Sequence, residues 1–215
     1  MAVLYTLDQY VNDLRAITAK ENNPVKITDL VAPLARKFAQ SPGWFRPEYR
    51  ECDAEQGFGV HMLHEEPNHD LAVFLVSWLP NRGTTPHNHK TWAVVVGMEG
   101  EEKEISYDRL DDGARPGFAD LKRGGEQVIT AGEITRCYPE HIHSVWNVGK
   151  NISKGDITPQ TAGAPSQLVA RLDRNHNVLP HDITSAGAFT SKRRSPISNT
   201  AQACIARHQG EDQGE

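Results

Sequence analysis

Three cysteines in 215 residues, Cys52, Cys137 and Cys204, are too few and too scattered for a disulfide framework. No C-x-x-C pair occurs, which argues against a zinc ribbon, and the odd count suits a reducing compartment. No apolar run approaches the roughly 20 residues needed to span a bilayer. The opening MAVLYTLDQYVNDL carries acidic residues early and lacks a signal-peptide core. A cytoplasmic location with no membrane partner is therefore expected. Basic blocks are missing too. With a formal net charge of −5 and no cationic stretch, the chain has no electrostatic footing for nucleic acid. Neither a βαβ rhythm nor a glycine-rich phosphate loop is present.

What is there has the texture of a globular protein: 38% apolar and 24% charged residues, enough for one buried domain with extensions. Residues 4–20 predict an amphipathic helix. Thr6 and Gln9 have capping-box spacing, and Leu7, Tyr10, Val11, Leu14 and Ile17 recur at helical intervals. A second helix is expected from about Asp29 to Ala39, capped near Thr28, with Leu30, Leu34 and Phe38 inward; SPGW ends it. From about Phe58 to Asp173, short runs rich in Val, Ile, Leu and Trp alternate with turn residues, as in LAVFLVSWL, TWAVVVGM and HSVWNV. That rhythm predicts a β-sandwich or barrel. The expected organisation is helices over 1–45, a β-barrel over 46–184 and a polar, partly mobile extension over 185–215.

The chemistry concentrates in PNRGTTPHNHKTWAVVVGMEGEE and, about fifty residues on, CYPEHIHSVWNVG. His87 and His89 stand two apart before a strand-like run, so on a strand their imidazoles share a face. Pro86 fits a strand's first position. His141 and His143 repeat the spacing, and either supplies a third ligand from another strand. His61, His64, His69, His176, His181 and His208 read more simply as surface or hydrogen-bonded residues. Trp92 and Trp146 read as barrel packing.

The first stretch resembles the first cupin motif, carried by Gly83, His87, His89 and Gly100. The second resembles the other cupin motif, which ends His-x-x-x-Asn. His143 and Asn147 match that ending and His141 does not, so the resemblance implies His87, His89 and His143 as the metal ligands. It implies a mostly β fold, the cupin double-stranded β-helix or jelly-roll barrel, with N-terminal α-helices packed on it. Many cupins place a glutamate three or four residues after H-x-H; here Ala93 and Val94 stand there. Three neutral imidazoles leave a divalent charge uncompensated and favour an anionic ligand with a soft donor such as thiolate.

Such a centre resembles the cysteine dioxygenase family, and within it the bacterial 3-mercaptopropionate dioxygenase type, over roughly Phe58 to Asp173. The resemblance implies Fe(II), O₂ and a small thiol oxidised to its sulfinic acid. It implies a carboxylate-binding arginine from a late segment, Arg171 or Arg174. Arg171 shares strand parity with Gln167 and Val169 and is the expected substrate residue. His61 falls where other members hold their arginine and is a second candidate for substrate binding. The chain departs from the family's Ser-x-His-x-Tyr strand, because Leu168 and Ala170 follow Ser166 at those positions. That departure leaves open a three-histidine dioxygenase acting on another chelating substrate such as a diketone. Three histidines and a water also make a good zinc site, so a zinc hydrolase or lyase is a further alternative, as is a non-catalytic metal- or ligand-binding cupin.

Overall fold

A computed structural model describes residues 4–114, 118–149, 166–172 and 205–206. Among the described residues two α-helices, α1 (Leu7–Thr18) and α2 (Pro24–Ala39), precede ten strands. These are β1 (Phe58–Glu65), β2 (Leu71–Trp78), β3 (Ala93–Gly97), β4 (Glu102–Arg109), β5 (Phe118–Ala119), β6 (Leu121–Ile129), β7 (Ile134–Cys137), β8 (Ile142–Asn147), β9 (Ser166–Leu172) and β10 (Ile205–Ala206). Five strands form one sheet in the order β1-β2-β9-β3-β7, and three form another in the order β6-β4-β8. A two-residue parallel pairing joins β5 to β10.

The α1 cap is as expected: the Thr6 side chain accepts from Gln9 N, and the Gln9 side chain accepts from Thr6 N. The start of α2 is not. Asn23 caps it by accepting from Val25 N and Lys26 N, and Pro24 supplies the preset φ of a first turn. Thr28 sits inside the helix, its hydroxyl donating to Val25 O. The apolar stripe shifts accordingly. Ile27, Val31, Ala35 and Phe38 point inward, whereas Leu30 is 51% exposed.

Both faces of the five-stranded sheet are covered. Val94 and Val96 of β3 join α1 and α2 in one core, with Tyr10 stacked on Phe38 at 5.2 Å and Phe38 on Trp44 at 4.5 Å. The intervening Ala93 and Val95 join Phe74, Val76, Trp78, Cys137 and Val145 in a second core between the sheets. Two covered faces explain why β2 and β3 are apolar at nearly every position rather than at alternate ones. The result is the expected mostly β, cupin-type barrel with N-terminal helices packed on it. The proposed extension over 185–215 lies outside the described residues, apart from the two of β10.

In β8 the residues facing Val145's side are His143, Val145 and Asn147, so Trp146 points outward and is 40% exposed. The expectation that it packs in the barrel core is corrected by this alternation. Trp92 is buried, in the helix-facing core.

Candidate metal centre

His87 and His89 do not lie on a strand, contrary to the expectation from their spacing. They sit in the connection between β2 and β3, which crosses the edge of β8 and is pinned to it by main-chain bonds. Thr84 N donates to Val145 O at 2.8 Å, Asn147 N donates to Arg82 O at 2.8 Å, and His87 and His143 exchange both N–H···O bonds at 2.9 Å. Gly83 permits this approach, since a Cβ there would stand 2.0 Å from Val145 O. Two non-glycine residues with positive φ, Asn81 (58°) and Lys90 (54°), bracket the crossing. Holding them there costs on the order of 1 kcal/mol each. The strain turns the chain sharply on either side of the histidines.

The pinning brings the rings together. Centroids lie 4.8 Å apart for His87 and His143, 5.0 Å for His89 and His143, and 5.1 Å for His87 and His89. The Nε2 atoms of His89 and His143 are 2.9 Å apart. Two nitrogens bound to one ion at about 2.1 Å and right angles are separated by about 3.0 Å. One potential ligand atom from each of His87, His89 and His143 lies within 4.8 Å of the others.

Outer partners prepare two of these rings. His87 Nδ1 lies 2.8 Å from Thr85 O, and a carbonyl only accepts, so Nδ1 carries the hydrogen and Nε2 keeps its lone pair. His143 Nδ1 lies 2.6 Å from Glu104 Oε1, which fixes the same tautomer. Glu104 Oε2 in turn accepts from Gln127 Nε2 at 2.6 Å and Thr135 Oγ1 at 2.7 Å. A carboxylate behind a histidine whose other nitrogen faces a ligand cluster is the arrangement that orients metal ligands and raises their basicity. Burial, then the neighbouring His143, lowers His87 from the ordinary 6.5 to about 4, so its ring is neutral at physiological pH, as ligation requires. Burial opposes ionisation of Glu104, but hydrogen bonds from His143, Thr135 and Gln127 overcome it and hold the carboxyl well below its usual range. The donor set fits a divalent transition metal.

Glu104 was not foreseen: an acidic side chain does join the cluster, at the far nitrogen of His143. Its place follows from the register of β4, where Glu102 and Glu104 pair with Asn147 and Val145 and so share their inward face. His141 is half-buried, its ring 5.1 Å from that of His143. Its Nδ1 is buried without a hydrogen-bond partner. The remaining described histidines are hydrogen-bonded as expected, His64 to Glu66 and His69 to Glu65.

His61 is not brought to the cluster. It pairs with Leu75, a residue of the helix-facing core, and its Nε2 lies 3.0 Å from Glu51 O, with Tyr49 against the ring. Its strand face is turned away from the space between the sheets, so a substrate role there finds no support. Arg171 stands in register opposite Ala72 and Ala93, both in the inter-sheet core; its side chain, and all of Arg174, lie outside the described residues.

No family model matches the chain. Among solved structures it is similar to recombinant oxalate oxidase in complex with glycolate, at 20% identity and a TM-score of 0.40, over 57% of this chain and 54% of that one. It is also similar to KdgF from Halomonas sp., at 13% identity and a TM-score of 0.40, over 58% of this chain and 87% of that one. A third likeness is to the cupin domain of Schizosaccharomyces pombe Cnp3, at 9% identity and a TM-score of 0.41, over 62% of this chain and 74% of that one. The chain thus spans only about half of the oxalate oxidase it matches. At such identities and scores these likenesses carry no activity across. Among the described residues, no helix is long and apolar enough to cross a membrane.

Proposed function

We propose that this chain is a non-haem Fe(II)-dependent dioxygenase that oxidises a small thiol, of the cysteine or 3-mercaptopropionate kind, to its sulfinic acid. The observation that carries this reading is the convergence of His87, His89 and His143 as a ligand grouping without a carboxylate. With Glu104 behind His143 rather than on the ion, no anionic side chain occupies the three-histidine grouping itself, which favours an anionic, soft-donor ligand such as a thiolate. The balance is RSH + O₂ → RSO₂H: both oxygen atoms enter the product, and no external reductant is consumed. Bound iron would supply the one-electron chemistry that side chains lack.

The protein's own part is positional. Thr85 O and Glu104 hold the tautomers that present Nε2 of His87 and His143. Gly83 and the bonds to β8 fix where the loop histidines stand. Arg171 is the proposed partner for a substrate carboxylate; its backbone stands in register with Ala72 and Ala93. A reducing, cytosolic setting would keep both substrate thiol and ferrous iron in the required state.

The test is metal analysis of protein purified without added metal, followed by oxygen uptake with cysteine, 3-mercaptopropionate and cysteamine. Iron, with one O₂ consumed per sulfinic acid formed, is the expected result. Uptake with none of the thiols would overturn the thiol reading, and bound zinc without uptake would favour the hydrolase or lyase alternative.

A further inference from the structure

Glu104 meets His143 at Nδ1, whereas Nε2 faces His89, so the imidazole has a second side that the three-histidine grouping does not use. On that side Glu104, Cys137, His141 and His143 each offer a donor atom, all within 4.8 Å of one another. We propose that Glu104, Cys137 and His141 form a second cation site, selective for a borderline-soft divalent ion such as Zn²⁺ or Co²⁺. It stands independently of the oxygenase reading.

Three observations support it. The Nδ1 atom of His141 is buried with no hydrogen-bond partner, an arrangement that is unfavourable unless something fills it. The Cys137 thiol is fully buried, against Ala93 in the sheet register, and is a free cysteine. Glu104 accepts three hydrogen bonds, and an ionised carboxylate offers about four lone-pair sites, so one remains. Thiolate, imidazole and carboxylate together make a donor set of zinc type, unlike the all-nitrogen set in front. Ion binding would displace the thiol proton to solvent, and the charge on the sulfur would then be neutralised by the metal.

An entry path is present. A cavity of about 290 Å³ opens beside Glu104 and His141 and is otherwise lined by Ser106, Gly125, Glu126 and Gln127. None of these is cationic, and Gly125 O and the glutamate and glutamine side chains offer acceptors to a hydrated ion on its way in. His141, half-buried, lines this cavity and belongs to the same donor grouping as Cys137.

Cobalt titration of the metal-stripped full chain tests this. Two equivalents per chain are expected, the second bringing thiolate-to-cobalt charge-transfer absorption in the near ultraviolet. Cys137→Ser and His141→Ala should each weaken the second equivalent at least tenfold and remove that absorption, leaving the first intact. The double variant His87→Ala/His89→Ala should lose the first equivalent and keep the absorption. A single equivalent without thiolate absorption overturns the proposal, as does absorption that survives Cys137→Ser and so arises from Cys52 or Cys204. If Cys137→Ser does not fold, His141→Ala decides alone, since its half-buried ring can be removed without emptying a core.

Discussion

The two main sheets of this barrel obey different rules. In the five-stranded sheet, helices cover one face and the opposing sheet covers the other, so β2 is buried along its whole length. In the three-stranded sheet the outer face of β6 is open, with Arg123, Glu126 and Val128 exposed. The inner face carries Glu104, His143 and Asn147, buried but polar. Apolar burial is concentrated in the first sheet, and the buried His143–Glu104 pair lies in the second. A polar network can be held in the second because the first supplies the apolar burial that a half-open sheet cannot.

The sharpest way to break that contrast is a charge in each sheet. Val94 lies at the middle of β3, fully buried against the helices. Val94→Asp strands a carboxylate with no partner, a loss on the order of 5 kcal/mol or more, comparable with the stability of a whole domain. We expect insoluble or unfolded protein by circular dichroism. A folded, soluble Val94→Asp would show that the helix-covered sheet is not the stabilising half.

The metal centre tests the second half of the contrast. Glu104→Gln keeps the shape of the side chain but replaces an acceptor-only group with an amide, so His143 loses the charge that fixes its tautomer and basicity. Loss of such an outer partner lowers metal affinity about 10- to 100-fold. His143→Ala should abolish loading of the three-histidine site. Equilibrium dialysis with Fe²⁺, followed on that site's equivalent, reads both, and unchanged affinity in Glu104→Gln would mean that His143 is oriented by packing alone.

How far these residues were legible in the sequence follows from their range. H-x-H and H-x-x-x-N are local patterns, so His87, His89 and His143 were readable before any fold was known. The capping box at Thr6 and Gln9 is likewise local. Glu104 is 39 residues from its partner His143, and the run Glu102-Lys103-Glu104 is charged at every position, so polarity alternation could not say which side faces in. The start of α2 failed for a related reason. Asn23 and Thr28 are both good caps, and choosing the later one rotated the predicted stripe and placed Leu30 inward. That His87 and His89 lie on a pinned loop rather than a strand depends on Gly83 meeting β8, a tertiary contact no spacing reveals.

Acid should sharpen the comparison further, because a ligand of the metal centre titrates well below its ordinary range. His87 is neutral when folded down to about 4, against an ordinary 6.5. Between those values the unfolded chain takes up the proton first, so the metal-free protein is at full stability above about pH 6.5 and loses it as pH falls toward 4. After allowance for solvent screening at the ring's exposed edge, the loss should be on the order of 1 to 2 kcal/mol. Urea denaturation across that range measures it, and His87→Gln should flatten the profile. An equal slope in His87→Gln would assign the acid sensitivity elsewhere.

The smallest expected effect is the mirror of the largest. Val128 lies on the open face of β6, half exposed, paired across the strand with Lys103. Val128→Asp puts a carboxylate where water already reaches it, directly opposite an ammonium group, and cross-strand pairs of opposite charge contribute roughly 0.2–1 kcal/mol. The loss of a β-branched residue from a strand acts in the other direction by a similar amount. The two should nearly cancel, leaving a change within about 0.5 kcal/mol by urea denaturation. If Val128→Asp instead destabilises by several kcal/mol, the outer face of the three-stranded sheet is covered in solution. The polar network inside it would then owe its support to that cover as well as to the helix-backed sheet.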